Sequence, residues 1–347
     1  MNKIIFGIIF LLIPSWVTAQ DDLQGAYESE TRPLRKDIRI EFKDAQNNRT
    51  FLPVVLLKGK KKGPVFTMVA GVHGFEYPPI VATQELLKEI RLDDLAGTLV
   101  ILPIANTASF YSRTPFMNPQ DKVNLNNAFP GKSNGSVTQK IAHYIHTKVI
   151  PMSDVFLDIH GGDASEDLLP FICYYNNENY PEQTKMAKAL SENSGFEYVV
   201  SYAYTLKAHD PAKYVFKQAC KDGKVALSIE SGKLGNVQEE AVRLIKNGVY
   251  NMLHTMNMYP KVTQTSNQKL IPLNNQKYLR ADRNGIFYSR YKAGDKVERG
   301  AVVGYITDEF GTKISTFKAP VSGTILYKVS TPPVNIDDTL MCISFLE

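Results

Sequence analysis

Two histidines and two glutamates stand at the ends of short apolar segments, and gathered at one point they would form a hydrolytic metal centre. The apolar run at residues 65–70 leads into Gly71-Val72-His73-Gly74-Phe75-Glu76, which places an imidazole and a carboxylate three residues apart. A strand ending in small residues can turn both groups toward one point. Zinc takes such N and O ligands and, in catalytic sites, leaves a fourth position open for water. On its own a His and a Glu at this spacing is a weak signal. A second apolar run, residues 155–159, ends in His160-Gly161-Gly162 and offers a third ligand from a neighbouring strand end. A lone His is usually a satisfied core or surface imidazole. Two of the six in this chain sit at strand ends, each followed by Gly, which makes coincidence a poor account. A third run, residues 225–229, ends in Glu230-Ser231-Gly232. A carboxylate there would face the same sheet edge and act as general base on a zinc-bound water.

Between the first two runs lies a long segment without periodicity, carrying Arg113 and the stretch Asn124-Leu125-Asn126-Asn127. Long structureless segments inside compact domains are often functional. Arg113 is suited to stabilise the oxyanion formed when a carbonyl is attacked. Asn126 is suited to hydrogen-bond a substrate carboxylate. Tyr202, Tyr204, Lys207 and His209 lie in a further segment expected to line the pocket.

The elements that must position these groups follow from hydrophobic periodicity. Residues 38–42, 52–57, 65–70, 99–104, 155–159 and 225–229 read as strands, and residues 77–90, 138–149, 183–191 and 239–256 as helices. Strands alternating with helices predict an α/β layer with a mixed, mainly parallel sheet flanked by helices. Near residue 262 the helical pattern stops, and short strands punctuated by Gly285, Gly294, Gly300, Gly304, Gly311 and Gly323 take over. That spacing predicts a small all-β domain. The expected domains are 20–262, catalytic, and 270–347, all-β.

The 347 residues are 44% hydrophobic and 22% charged, enough for one large core and a smaller one. The net charge of +5 is modest, and the one dense lysine run, at Lys58 and Lys60 to Lys62, reads as a solvated turn. A nucleic-acid partner is therefore not expected. Lys3, the apolar run that follows it and Val17-Thr18-Ala19 form a signal peptide over residues 1–19, with the cut expected after Ala19. The run is too short for a permanent span, so the mature protein is expected to be secreted or periplasmic, without stable membrane insertion. Cys173, Cys220 and Cys342 fit no disulfide framework or metal motif and read as buried thiols.

Taken together, AGVHGFE, NTASFYSR, NLNNAFPG, DIHGG and IESG resemble the succinylglutamate desuccinylase/aspartoacylase family, a branch of the zinc carboxypeptidase superfamily, in order and across most of residues 65–255. The DIHGG form is similar to a subgroup of deacylases. The resemblance implies a carboxypeptidase-like fold with one zinc ion per chain, held by His73, Glu76 and His160. It further implies Glu230 as catalytic base, Arg113 polarising the scissile carbonyl, and Asn126 and Asn127 at the substrate. In the family, Asn127 is an arginine that grips a substrate carboxylate. Neutral Asn cannot replace a bidentate guanidinium, so retained chemistry on a changed substrate is expected. The C-terminal module resembles a barrel-sandwich domain of the biotinyl/lipoyl kind, with Ala319-Pro320-Val321-Ser322-Gly323 as its best match. Lys313 lies near the carrier position in a setting unlike a modification site. A structural role is expected, either shielding the active-site mouth or mediating association, and a homo-oligomer stays open.

The expected activity is removal of an acyl group from a small N-acylated amine or amino acid by zinc-activated water. A metallocarboxypeptidase or amidase acting on peptides, including cell-wall stem peptides, is the nearest alternative. A non-catalytic binding protein on the same scaffold is the other.

Overall fold

The computed structural model describes residues 22–263 and 270–346. The expected signal peptide, residues 1–19, lies outside them. None of the described helices is long and apolar enough to cross a membrane.

The catalytic layer is built from β1 (Leu34–Lys43), β2 (Arg49–Lys58), β3 (Lys61–Ala70), β4 (Ala96–Leu102), β5 (Val155–His160), β6 (Glu166–Leu168), β7 (Phe171–Asn176), β8 (Tyr198–Ala203), β9 (Val225–Glu230) and β10 (Ile271–Pro272). All but β6 form one sheet in the order β1-β2-β4-β3-β5-β9-β7-β8-β10. Five of its eight pairings are parallel; β1–β2, β2–β4 and β7–β9 are antiparallel. The last six residues of β3 and every residue of β5 are buried, as expected of strands covered on both faces. Its helices are α1 (Asp22–Glu28), α2 (Tyr77–Glu89), α3 (Thr107–Ser112), α4 (Val137–Tyr144), α5 (Pro181–Asn193), α6 (Val215–Lys221) and α7 (Glu239–Thr255).

The period-2 alternation of the strands divides two cores. Phe66, Met68, Leu157 and Leu227 pack with Leu86 of α2, Leu190 of α5 and Ile245 and Val249 of α7. Val69, Phe156 and Ala226 face the other way, toward Ile141 of α4 and Val215 and Ala219 of α6. Asp158, His160 and Glu230 share the parity of Phe156 and Ala226, so they emerge on this second face. The helix expected over residues 138–149 is α4 followed by a wide π turn from Ile145 to Val149 and a short turn ending at Met152.

Two sequence expectations are revised. Lys58 is not part of a solvated turn: it is 2% exposed, and its ammonium donates to the carbonyls of Ala26, Tyr27 and Ser29. It thereby satisfies carbonyls at the end of α1 that no helical N–H can reach. Residues 171–176 and 198–203, not read as strands from periodicity, form β7 and β8.

The C-terminal region is all antiparallel. It comprises β11 (Asn275–Arg280), β12 (Gly285–Tyr288), β13 (Lys296–Val297), β14 (Val302–Thr307), β15 (Lys313–Lys318), β16 (Gly323–Val329), β17 (Pro333–Val334) and β18 (Thr339–Phe345). Two sheets, β11-β18-β16-β13 and β15-β14-β12-β17, enclose a core including Phe287, Ile306, Phe317, Ile325, Met341 and Ile343. The first sheet has two buried faces. Met341 and Ile343 face its own core, while Cys342 and Leu326 join the core of the catalytic layer. The two regions also exchange strands. β6 pairs with β16, matching Tyr327 to Leu168 and Val329 to Glu166, while β10 pairs with β8. Lys313 lies over the ring of Tyr305, 4.4 Å from its centroid.

Candidate active site and metal centre

Three parallel strands deliver the site. In the β5–β9 register His160 stands opposite Glu230, and in the β3–β5 register Ala70 stands opposite Ile159. The chain leaves β3 through Gly71 at φ +64°, where an added Cβ would also meet Ile104 Cα at 3.0 Å. This sharp exit carries His73 and Glu76 over the ends of β5 and β9, with Glu76 just ahead of α2. Gly161 allows a close approach, since a Cβ there would lie 2.5 Å from the carbonyl oxygen of Ser231. These are small residues that the sequence places beside the donors, Gly71 ahead of His73 and Gly161 after His160.

His73, Glu76 and His160 converge. His73 Nδ1 lies 2.5 Å from Glu76 Oε1, and His160 Nδ1 lies 2.9 Å from Glu76 Oε2. All three residues are buried, and one donor atom from each lies within 4.8 Å of the others. Two imidazole nitrogens and one carboxylate suit zinc, which needs three protein ligands and an open position in a hydrolytic site. The far ring nitrogen of His73 has a polar partner, as metal-ligand imidazoles usually do, and that of His160 lies near a carboxylate without a hydrogen bond to it. His73 Nε2 is 3.2 Å from Asn124 Oδ1, and His160 Nε2 is 3.0 Å from Asp158 Oδ2, off hydrogen-bond alignment.

The electrostatics follow from burial and crowding. Burial would raise the Glu76 carboxyl, but the adjoining His73 and His160 outweigh it and hold it down to about 2. Burial lowers the His160 imidazole; Asp158 and Glu76 reverse this and raise it well above its ordinary value. Glu230 is pushed well above the usual carboxylate range by burial, against the pull of His160 and with reinforcement from Glu76, Glu166 and Asp158. A carboxyl raised in this way is suited to take and return a proton near neutral pH.

These groups line a cavity of about 210 Å³ together with Phe116, Asn126, Glu166, Phe171 and Tyr202. Its remaining wall comes from the C-terminal region. Tyr278 of β11 is matched to Cys342 of β18, Cys342 to Tyr327 of β16, and Tyr327 to Leu168 of β6. All four members of this cross-strand row line the cavity. A register shift between Ile325 and Tyr327 lets the adjacent Leu326 line it as well.

The structure brings together His73, Glu76, His160, Glu230 and Asn126. It does not bring in Arg113 or Asn127. Arg113 is exposed in the left-handed conformation at the C-terminus of α3, with φ +51°, and is outside the cavity lining. Asn127 is exposed at the end of a single turn from Leu125 to Asn127. Of the tyrosine segment, Tyr202 lines the cavity, whereas Tyr204, Lys207 and His209 do not. Sequence reasoning missed Asn124, Asp158 and Glu166. Asp158 did carry a signal, as an acid two residues before His160 in an otherwise apolar strand.

Residues 62–256 match the family described as the succinylglutamate desuccinylase/aspartoacylase catalytic domain. The chain is 30% identical over 301 residues to an N-alpha-acetyl-L-2,4-diaminobutyric acid deacetylase of Halomonas elongata, covering 84% of this chain and 85% of that one. Its fold is similar to that of a succinylglutamate desuccinylase from a Silicibacter species (TM-score 0.80, 24% identity), covering 90% of this chain and 95% of the other. It is equally similar to the product-bound ectoine utilization protein EutE from Ruegeria pomeroyi (TM-score 0.80, 23% identity), with the same coverage of 90% and 95%.

Proposed function

The chain belongs to the succinylglutamate desuccinylase/aspartoacylase family, and on that premise we propose that it is a zinc-dependent amidohydrolase that removes an acyl group from a small N-acylated amine. The observation that carries the reading is the placement of Glu230 directly opposite His160 across β5 and β9, in the cavity that also holds His73 and Glu76.

In this reading His73, Glu76 and His160 hold the ion. Zinc, when bound, would acidify water and draw charge from the acyl carbonyl. Glu230 accepts the proton that water loses as its oxygen adds to the carbonyl carbon. It delivers that proton to the amine nitrogen as the C–N bond breaks, leaving a carboxylic acid and a free amine. Asn124 and Asp158 keep the two imidazoles oriented. Asn126 contacts the substrate. Arg113 swings in to polarise the carbonyl once substrate is present, and Asn127 joins only if its turn moves.

The alternative, cleavage of peptides, is disfavoured by the wall of Tyr278, Cys342 and Tyr327, which leaves room for a small molecule. A binding protein without activity would have no use for a proton-transferring Glu230. The export reading rests on residues 1–19, and N-terminal sequencing of the mature protein checks it.

The test is metal analysis of the purified protein together with an amine-release assay on N-acetyl-2,4-diaminobutyrate and other N-acetylated amines. Zinc near one per chain and hydrolysis abolished by a chelator are expected. A zinc-loaded protein inert toward every N-acyl amine, yet active on peptides, would transfer the assignment to the alternative.

A further inference from the structure

The cavity is furnished to receive a positive charge. Among the described residues, none of those lining it is Lys or Arg. The cationic position that would have gripped a substrate carboxylate is lost, since residue 127 is Asn and lies outside the lining. What the cavity offers instead is a third carboxyl group, Glu166, beyond Glu76 and Glu230, which the metal and the proton transfer employ. One oxygen of Glu166 accepts from the backbone N–H of Asp163 at 3.0 Å, and the other has no hydrogen-bond partner among the described residues. Asn126 Oδ1 is likewise buried without a donor. Tyr202, Tyr278 and Tyr327 supply aromatic surface beside them. The buried, unpaired Asn126 Oδ1 calls for a ligand that donates, and a carboxylate among aromatic rings favours one that is also cationic.

Resting on the deacylase reading above, we propose that Glu166 is the specificity residue of this site and that the substrate carries, besides its acylated nitrogen, a second free amine received as ammonium by Glu166. Burial, with Asp163 adding to it, raises the empty-site Glu166 carboxyl to about 8, which is the condition an arriving cation relieves. The position of Glu166 is not left to a loose loop. It begins β6, is matched to Val329 of β16, and its carbonyl accepts from the N–H of Leu234. An ammonium bound there leaves the rest of the substrate to reach the proton-transferring Glu230 in the same cavity.

The test holds the scissile amide constant and varies only the far end. Nα-acetylornithine, Nα-acetylnorleucine and Nα-acetyl-2-aminoadipate present an ammonium, a methyl and a carboxylate at the same distance, and all share one α-carboxylate. The zinc-loaded wild type is expected to prefer the ornithine compound in kcat/KM by tenfold or more over norleucine, and more strongly still over aminoadipate. In Glu166→Gln the ornithine-to-norleucine ratio should fall toward one, with Glu166→Asp recovering part of it. Calorimetry should show ornithine binding wild type at least tenfold more tightly than Glu166→Gln, a readout that needs no turnover. Equal hydrolysis of the three compounds, or an undiminished ratio in Glu166→Gln, overturns this proposal and leaves the deacylase reading standing. Failure to hydrolyse any N-acetyl amine overturns both.

Discussion

Asn124 Oδ1 lies 3.2 Å from His73 Nε2 while accepting the backbone N–H of Asn126 at 2.8 Å, so one amide oxygen orients a metal-binding imidazole and pins the turn that carries Asn126 into the cavity. Removing it frees the His73 ring to rotate. Asn124→Ala should weaken zinc binding by about 10–100-fold, as is usual for partners that orient metal ligands. Competition with a chromogenic chelator measures this, and an unchanged zinc affinity would mean that the ring is held by packing against Phe116 alone.

Glu230→Gln keeps the size and polarity of the side chain but removes its capacity to take a proton. Zinc content should stay near that of wild type while kcat falls by about 10²–10⁴-fold, the usual worth of general acid–base catalysis. His73→Ala should lose both metal and activity. Retained turnover in Glu230→Gln would move the proton transfer to another group.

Arg113 is exposed and outside the cavity, so its effect should appear only when substrate draws it in. Arg113→Ala should lower kcat by about 10²–10³-fold, the usual cost of losing one oxyanion partner. It should leave thermal stability unchanged, since its guanidinium makes no hydrogen bond among the described residues. Steady-state kinetics beside a melting curve separates the two effects.

Asp167 ties the catalytic layer to the C-terminal region. One carboxylate oxygen lies 2.9 Å from Lys233 Nζ, and the other accepts from the backbone N–H of Ala293 at 2.9 Å. Asp167→Ala leaves that part-buried N–H unpaired and should cost about 1 kcal/mol in urea unfolding. Loosening the tyrosine wall should also raise hydrolysis of bulky N-acyl amines relative to small ones.

Glu166 makes the metal-free protein pH-sensitive in a defined direction. Its folded carboxyl titrates at about 8 rather than near the ordinary 4.5. Between those values the folded state holds a proton that the unfolded state has released, so stability declines as pH rises through that window. The sign is opposite to that of a salt-bridged carboxylate. Because the side chain faces the cavity, the effect should be limited to about 1–3 kcal/mol. Melting temperatures of chelator-treated wild type should fall more steeply from pH 5 to pH 8 than those of Glu166→Gln. Parallel curves would place the Glu166 carboxyl at its ordinary value.

The gathering of His73, Glu76 and His160 was legible locally because the donor residues sit at recognisable strand ends. Residues 65–76, 155–162 and 225–232 each combine a run apolar enough for burial on both faces, a donor side chain, and a Gly permitting close approach of a neighbouring segment. A parallel sheet then aligns the three ends whatever the rest of the chain does. β7 and β8 were not legible, because Tyr174, Tyr175, Ser201 and Tyr202 blur the apolar pattern until neighbours bury them.

What the sequence alone determined is which donor side chains gather at the candidate site, since strand burial and residue type suffice for that. The tertiary structure decided what else meets the substrate. Leu168 and Tyr327 come together only by pairing of β6 with β16, and Tyr278 and Cys342 join them across β11 and β18. The placement of Glu166 beside that wall depends on the same long-range pairing. No local periodicity encodes a wall that joins β6 to strands far along the chain, because its register is set by the cores on either side of it.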